Sequence, residues 1–208
     1  MFFRAFPAPA RRVFTRLGRE PFLRAFYLAG GSAAALHLGH RVSMDLDFFT
    51  DEPFSPATLT SGLQAIGPLA IQQQKADTLV ALFGGAQISF FHYPYALLET
   101  PTSYRGIRIA SLLDIGLMKI IAISQRGRRR DFVDLYAITQ PHYPLRDILK
   151  RLSEKYPSLS YPPYHLLRAL AYFDDAEKDP PLQMLADCSW RKVRAFFTKQ
   201  VDELAKQI

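Results

Sequence analysis

From Thr78 to Leu98 the chain carries no Asp, Glu, Lys or Arg: TLVALFGGAQISFFHYPYALL. That length is close to the roughly 20 apolar residues that cross a bilayer as a helix. The stretch therefore forces a choice between a membrane span and a pair of strands. Its interior decides, because Gly84-Gly85 separates two β-rich runs, and Gln87, His92 and Pro94 interrupt the apolar character. A Gly-Gly pair supplies the positive φ angles that a two-residue hairpin turn requires. The expectation is a hairpin in a soluble chain with no membrane partner.

The remaining composition agrees. Hydrophobic residues make up 49% of the 208 residues and charged residues 22%, an ordinary globular balance. A chain of this length buries about 70% of its unfolded surface and needs no staple to fold. Its single cysteine, Cys188, rules out an internal disulfide framework, fits a reducing, cytoplasmic compartment, and has no metal-binding pattern beside it. With 26 Lys+Arg against 19 Asp+Glu, the net charge of +7 favours anionic partners such as nucleotides or nucleic acid. Prolines and Arg4 break the apolar character of the N-terminus, which reads as a helix packed on the body or frayed from it, with a short polybasic amphipathic arm as the alternative, rather than as a secretory signal.

Organisation follows from the punctuation. Phe26-Tyr27-Leu28 reads as a short strand, Ser32–Leu38 as a helix stopped by Gly39, and Asp45–Phe49 as a second strand. Ser55-Pro56 reads as an N-cap with proline at the first helical position, and Gly67 closes that helix. Strands are expected at 69–73, 78–83, 87–93 and 106–110. From Ser111, whose pairing with Asp114 resembles a capping box, the chain reads as helical: to Arg126 with Gly127 as stop, through RRRDFVDLYAITQ, and then over 145–156, 162–173 and 189–206. The aromatic and proline-rich stretch from Tyr156 to Tyr164 reads as a helix–helix connection. The stripe Trp190, Val193, Phe196, Phe197 and Val201 reads as core, with docking of a protein partner as the alternative. The expected organisation is a mixed α/β core over 1–110 and a helical part over 111–208.

Two stretches can carry chemistry. In LAGGSAAALHLGHRVSMDLDFF, Gly30 and Gly31 lie where a strand becomes a helix, so free amides and the helix dipole can hold phosphate, with Ser32 as a further donor. Asp45 and Asp47 stand two apart on a strand and share a face, where their mutual repulsion calls for a cation such as Mg²⁺. In DIGLMKIIAISQRGRRRDFVDLY, Lys119 interrupts an apolar run and must snorkel or meet an anion. Asp131 and Asp134 share a helix face, and the cluster Arg126-Gly-Arg-Arg-Arg can bind phosphate or serve as a basic loop with surface pairs such as Arg130–Asp134.

Taken together, the two stretches resemble the signatures of the AbiEii/AbiGii toxin nucleotidyltransferases, within the polymerase-β-like nucleotidyltransferase superfamily. The resemblance implies an α+β fold: a small mixed sheet with flanking helices, followed by a helical C-terminal part. It implies an Mg²⁺-dependent enzyme that transfers a nucleotide from an NTP, with RNA, notably tRNA 3′ ends, as acceptor. It also implies a toxin of a type IV toxin–antitoxin or phage-defence system, restrained by a separate antitoxin. By position, Gly30, Gly31 and Ser43 match the first motif, Asp45 and Asp47 its metal pair, Lys119 the motif lysine, and Asp131 with Asp134 the Arg-Asp-x-x-Asp-Leu motif.

On this reading Gly30, Gly31 and Ser32 cradle the phosphates, while Lys119, with Arg128 or Arg130, offsets developing negative charge. The wider superfamily often places a third carboxylate on a later strand, but the hairpin segment Ala86–His92 has no acid. Asp131, Asp134 or His92 remain as alternatives for the base. Two other readings stay open: transfer to a small molecule or protein, and a catalytically inactive NTP- or RNA-binding module.

Overall fold

The charge-free stretch folds as a hairpin. The computed structural model describes residues 1–140, 142–159 and 162–206. In it, strand β4 (Thr78–Phe83) turns through Gly84 (φ 55°) and Gly85 (φ 82°) into the antiparallel β5 (Ala86–His92). No helix among the described residues is long and apolar enough to cross a membrane.

Around this hairpin a seven-stranded mixed sheet forms in the order β3-β4-β5-β2-β1-β7-β6. The other strands are β1 (Tyr27–Leu28), β2 (Leu46–Thr50), β3 (Leu69–Lys75), β6 (Thr102–Tyr104) and β7 (Ile107–Ile109). β2 runs parallel to β5 and β1 parallel to β7, and the remaining pairs are antiparallel. β6 is short and was not expected; it turns into β7 through Arg105 (φ 51°) and Gly106 (φ 83°).

The helices are α1 (Ala8–Leu17), α2 (Gly30–Leu38), α3 (Pro56–Ile66), α4 (Leu112–Arg126), α5 (Arg129–Thr139), α6 (Leu145–Lys150), α7 (Leu152–Lys155), α8 (Pro163–Leu170), α9 (Asp174–Glu177) and α10 (Trp190–Ala205). The expected caps are in place: Ser55 accepts from the amide of Thr58 and Ser111 from that of Asp114; Ser189 likewise caps α10, accepting from Lys192. Gly127 ends α4 in the left-handed conformation. The expected helix over 145–156 breaks at Arg151 into α6 and α7, and α9 was not expected. Residues 160 and 161 of the expected Tyr156–Tyr164 connection lie outside the described residues.

The N-terminal helix is packed rather than frayed, with Ala10, Val13, Phe14 and Leu17 buried. Along β2, Leu46, Phe48 and Thr50 are buried while Asp47 and Phe49 face the other way, as the two-residue period of a strand requires. Phe48 stacks on Phe90 of β5 with ring centroids 5.1 Å apart. Helix α2 packs on α4 and α5, and α10 packs on α5 and α8. Val193 and Phe197 enter the core, where Phe197 meets Phe132 of α5 edge to face at 5.5 Å. One hydrophobic core contains Phe48 and Ile88 of the sheet as well as Leu117, Phe132 and Phe197 of the helical half.

Candidate active site

The residues singled out in both stretches meet at one cavity of about 390 Å³, where Gly30, Gly31, Ser43, Asp45, Asp47, Lys119, Arg130 and Asp131 all contribute to the lining. Local structure brings each of them there. Ala29, in an extended conformation, precedes α2 and offers no side-chain cap, so the first amides of the helix have no side-chain acceptor. Such amides form an anion site by themselves.

The two glycines have different reasons to be glycine. Gly30 has φ 66°, which a side chain disfavours. Gly31 is needed for space: a Cβ there would lie 2.3 Å from Nη2 of Arg41 and 3.2 Å from Oδ2 of Asp134. Asp45 stands just before β2 and Asp47 within it, and both line the cavity. Burial pushes the Asp47 carboxyl above the ordinary carboxylate range, and the charge of Asp45 pushes it the same way. Ser89, its register partner on β5, donates a hydrogen bond that partly offsets both effects.

A charge cluster, buried apart from the half-exposed Arg126, forms part of the cavity wall and continues beneath it to Asp134. Lys119, 4% exposed, does not snorkel. Its Nζ lies 2.8 Å from Oδ1 of Asp131 and 2.6 Å from Oδ2 of Asp134. Arg41 grips Asp134 with both ends of its fork, Nε to Oδ1 at 2.6 Å and Nη2 to Oδ2 at 2.9 Å. His40 Nε2 lies 2.8 Å from the same Oδ1. Arg126 Nε donates to Oδ2 of Asp131 at 3.1 Å. Burial alone would raise both carboxyls, but the cations outweigh it: Arg41 and Lys119 hold Asp134 well below the usual range, and Lys119 and Arg126 lower Asp131. The three cations outnumber the two carboxylates they hold, and all three line the cavity together with Asp45 and Asp47.

Other expected residues lie elsewhere. Ser32 is buried, and its hydroxyl donates to the carbonyl of Ala29 at 3.2 Å instead of facing the cavity. Arg128 is turned to Asp179, with Nε 3.2 Å from Oδ1, and is not part of the lining. Asp134 is fully buried below the lining rather than in it, so the expected surface pair with Arg130 does not form. His92, at the far end of β5, lies with Nε2 3.3 Å from the carbonyl of Asp51, outside the lining.

Sequence reasoning missed two parts of the site. Arg41 lines the cavity from the loop after α2, and the only local signal for it was a guanidinium four residues before an Asp-x-Asp pair. Pro181, Leu182 and Gln183 form a wall contributed from far along the chain. This strap is tied down where the amide of Val42 donates to the carbonyl of Gln183 at 2.9 Å and Arg41 bridges Met184. Phe49, Tyr93, Met118 and Ile121 make the cavity's apolar side.

Comparison with known proteins places this geometry. The family model for the nucleotidyl transferase AbiEii toxin of type IV toxin–antitoxin systems matches residues 83–203, including the second signature and leaving the first outside. An uncharacterised protein of Aquifex aeolicus, aq_aa25, is 36% identical over 183 residues, covering 86% of this chain and 87% of its own length. A crystal structure from Helicobacter pylori, of a protein provisionally assigned as a nucleotidyltransferase, superposes with a TM-score of 0.56 at 16% identity over 95% of this chain and 92% of that one. The last likeness speaks to the fold, and it is the nucleotidyltransferase fold anticipated from the signatures. More than half of the chain is matched by one family model, and the chain is therefore a nucleotidyltransferase belonging to the AbiEii toxin family.

Proposed function

We propose that the chain transfers a nucleotide from an Mg²⁺-bound NTP to the hydroxyl of an RNA, with tRNA ends as the leading acceptor, and acts as the toxin of a type IV toxin–antitoxin or phage-defence system held in check by a cognate antitoxin. The observation that carries this reading is the convergence of the Gly30-Gly31 amides, the Asp45–Asp47 pair and Lys119 on one cavity. In the reaction the acceptor hydroxyl releases its proton to solvent and its oxygen bonds to the α-phosphorus, while the bond from that phosphorus to the bridging oxygen breaks and pyrophosphate leaves.

The donor set suits a hard cation. Two carboxylates close enough for one to raise the other's pKa supply oxygen ligands and leave positions for phosphate oxygens and water. Among the described residues there is no cluster of three or more acidic, His or Cys ligands, so the substrate would complete the shell. When bound by Asp45 and Asp47, Mg²⁺ would neutralise charge on the triphosphate and the leaving pyrophosphate. Gly30 and Gly31 would hold the phosphates through their amides, Ser43 would border them, and Lys119 and Arg130 would stabilise charge that grows during transfer, each worth about 3 kcal/mol when preorganised.

Asp131 and Asp134 act in this scheme as positioning residues. Carboxylates held below their ordinary range are weak proton acceptors, and both fix the Lys119 ammonium in place. The test is incubation with labelled NTPs, Mg²⁺ and total RNA, followed by separation of RNA, protein and small-molecule fractions. Label in RNA with wild type and none with Asp45→Ala supports the reading. Equal labelling by both, or label confined to another fraction, defeats it.

A further inference from the structure

The positive charge of this chain is not spread evenly. Its first 44 residues hold seven of the 26 Lys+Arg, all of them arginine, and one of the 19 Asp+Glu, so six of the seven net charges lie there. Only Arg41 belongs to the active cavity. Arg4, Arg11, Arg12, Arg16, Arg19 and Arg24 form no salt bridge among the described residues, in contrast to the paired arginines of the helical half such as Arg128, Arg129 and Arg151.

Helix α1 organises them. Ala10, Val13, Phe14 and Leu17 follow helical spacing into the core. Arg12 and Arg16 follow the same spacing on the opposite, exposed side, and Arg19, exposed in the turn two residues past the end of the helix, continues the row. With Phe3, Arg11 and Thr15 they line a shallow groove of about 650 Å³. Arg16 is steadied over the ring of Phe83, 5.6 Å from its centroid. The segment that leads into α1 reaches the site. The amide of Ser43, a cavity residue, donates to the carbonyl of Ala5 at 3.0 Å, three residues before α1 begins. The helix then packs against β5, with Val13 under Gly84, at the end of the sheet from which β2 and Asp47 also start.

We infer that the arginine stripe of α1 is the surface that grips the phosphate backbone of the RNA acceptor and leads its end into the cavity. This rests on the RNA reading above and adds the place where the RNA lies. The chemistry of the surface excludes the other anionic partners. A membrane-surface helix needs an exposed apolar face, and here that face is already buried. A protein interface is built on a central apolar or aromatic anchor, whereas the one aromatic of this groove, Phe3, is capped by the Arg105 guanidinium 4.5 Å from its ring centroid and the rest is arginine and Thr15. A row of unneutralised guanidiniums spread over about 10 Å of helix matches a polyanion with closely spaced phosphates, which arginine binds in bidentate fashion.

The test uses the full chain with Arg12→Gln, Arg16→Gln and Arg19→Gln combined, alongside the matching triple lysine variant. Binding of fluorescent tRNA is followed by anisotropy from 50 to 200 mM salt, together with the KM for RNA in the transfer assay. The glutamine variant is expected to bind at least about tenfold more weakly and to flatten the log Kd against log salt slope by roughly 2, at about 0.7 per lost phosphate contact. The lysine variant is expected to keep most of the slope, and NTP affinity is expected to stay unchanged in both. Undiminished tRNA affinity, slope and KM in the glutamine variant overturns the surface while leaving RNA as acceptor. Loss of binding to an acidic protein fraction but not to tRNA overturns it in favour of a protein partner. Absence of any RNA labelling by wild type overturns the acceptor reading itself.

Discussion

Gly31 shows how tightly this site is built at the level of single residues. The guanidinium beneath it is pinned by two hydrogen bonds to Asp134 and cannot swing aside as an exposed arginine would. Gly31→Ala is therefore expected to cost about 1–3 kcal/mol through overpacking and to lower transfer at least about tenfold by displacing the fork, checked by thermal unfolding and the labelled-NTP assay. Asp134 is the second test at this scale. Its folded pKa lies well below the ordinary value near 3.8, so the unfolded chain binds the proton more readily. The stabilisation is present above pH 3.8 and is lost as the pH falls from there through the folded pKa. Asp134→Asn leaves Arg41 and Lys119 without their shared counter-charge and is expected to cost about 3–5 kcal/mol at neutral pH. In denaturant titrations the gap to wild type should narrow only below pH 3.8.

Among the elements, α4 depends on a contact with no catalytic part. Asp114 is buried one turn into the helix and accepts from the amides of Leu98 and Glu99 and from Lys155, whose Nζ lies 2.7 Å away and is equally buried. The pair ties α7 and the 96–99 segment to the start of the helix that carries Lys119. Lys155→Met removes the cation and keeps its bulk, so a loss of about 3–5 kcal/mol is expected from the unpaired carboxylate, read as a lower denaturation midpoint. The cap and stop of this helix, Ser111 and Gly127, were legible because they are local, as were Ser55-Pro56 at the start of α3 and the Gly84-Gly85 hairpin turn: each acts within a few residues. The Asp114–Lys155 pair was not, since its partners are 41 residues apart. For the same reason β6, three residues long and largely exposed, left no hydrophobic period to detect. In the site, Gly30-Gly31, Asp45-x-Asp47 and Lys119 each carried a local anomaly. Arg41 and the Pro181–Gln183 wall became visible only once folding placed them, and the hydroxyl of Ser32 and the guanidinium of Arg128 turned to nearer partners.

At the scale of the whole molecule, the division near residue 110 marks a change in secondary structure, while the hydrophobic core runs through it. Helix α2 begins with the Gly30-Gly31 turn and is covered by α4 and α5. A fragment ending at residue 110 is therefore expected to lack a cooperative thermal transition, whereas the full chain should melt in one step. The same continuity explains why a site assembled from residues 30 to 183 can be rigid: its charge cluster bridges the two halves through Arg41, Lys119 and Asp134. On the proposed function this cavity holds a metal-bound triphosphate between the Gly30-Gly31 amides, the two aspartates and Lys119. Calorimetric titration of a non-hydrolysable NTP into the full chain, with and without Mg²⁺, tests it most directly. Binding that requires Mg²⁺ and disappears in Asp45→Ala is the predicted result; equal affinity without the metal or in that variant would contradict it.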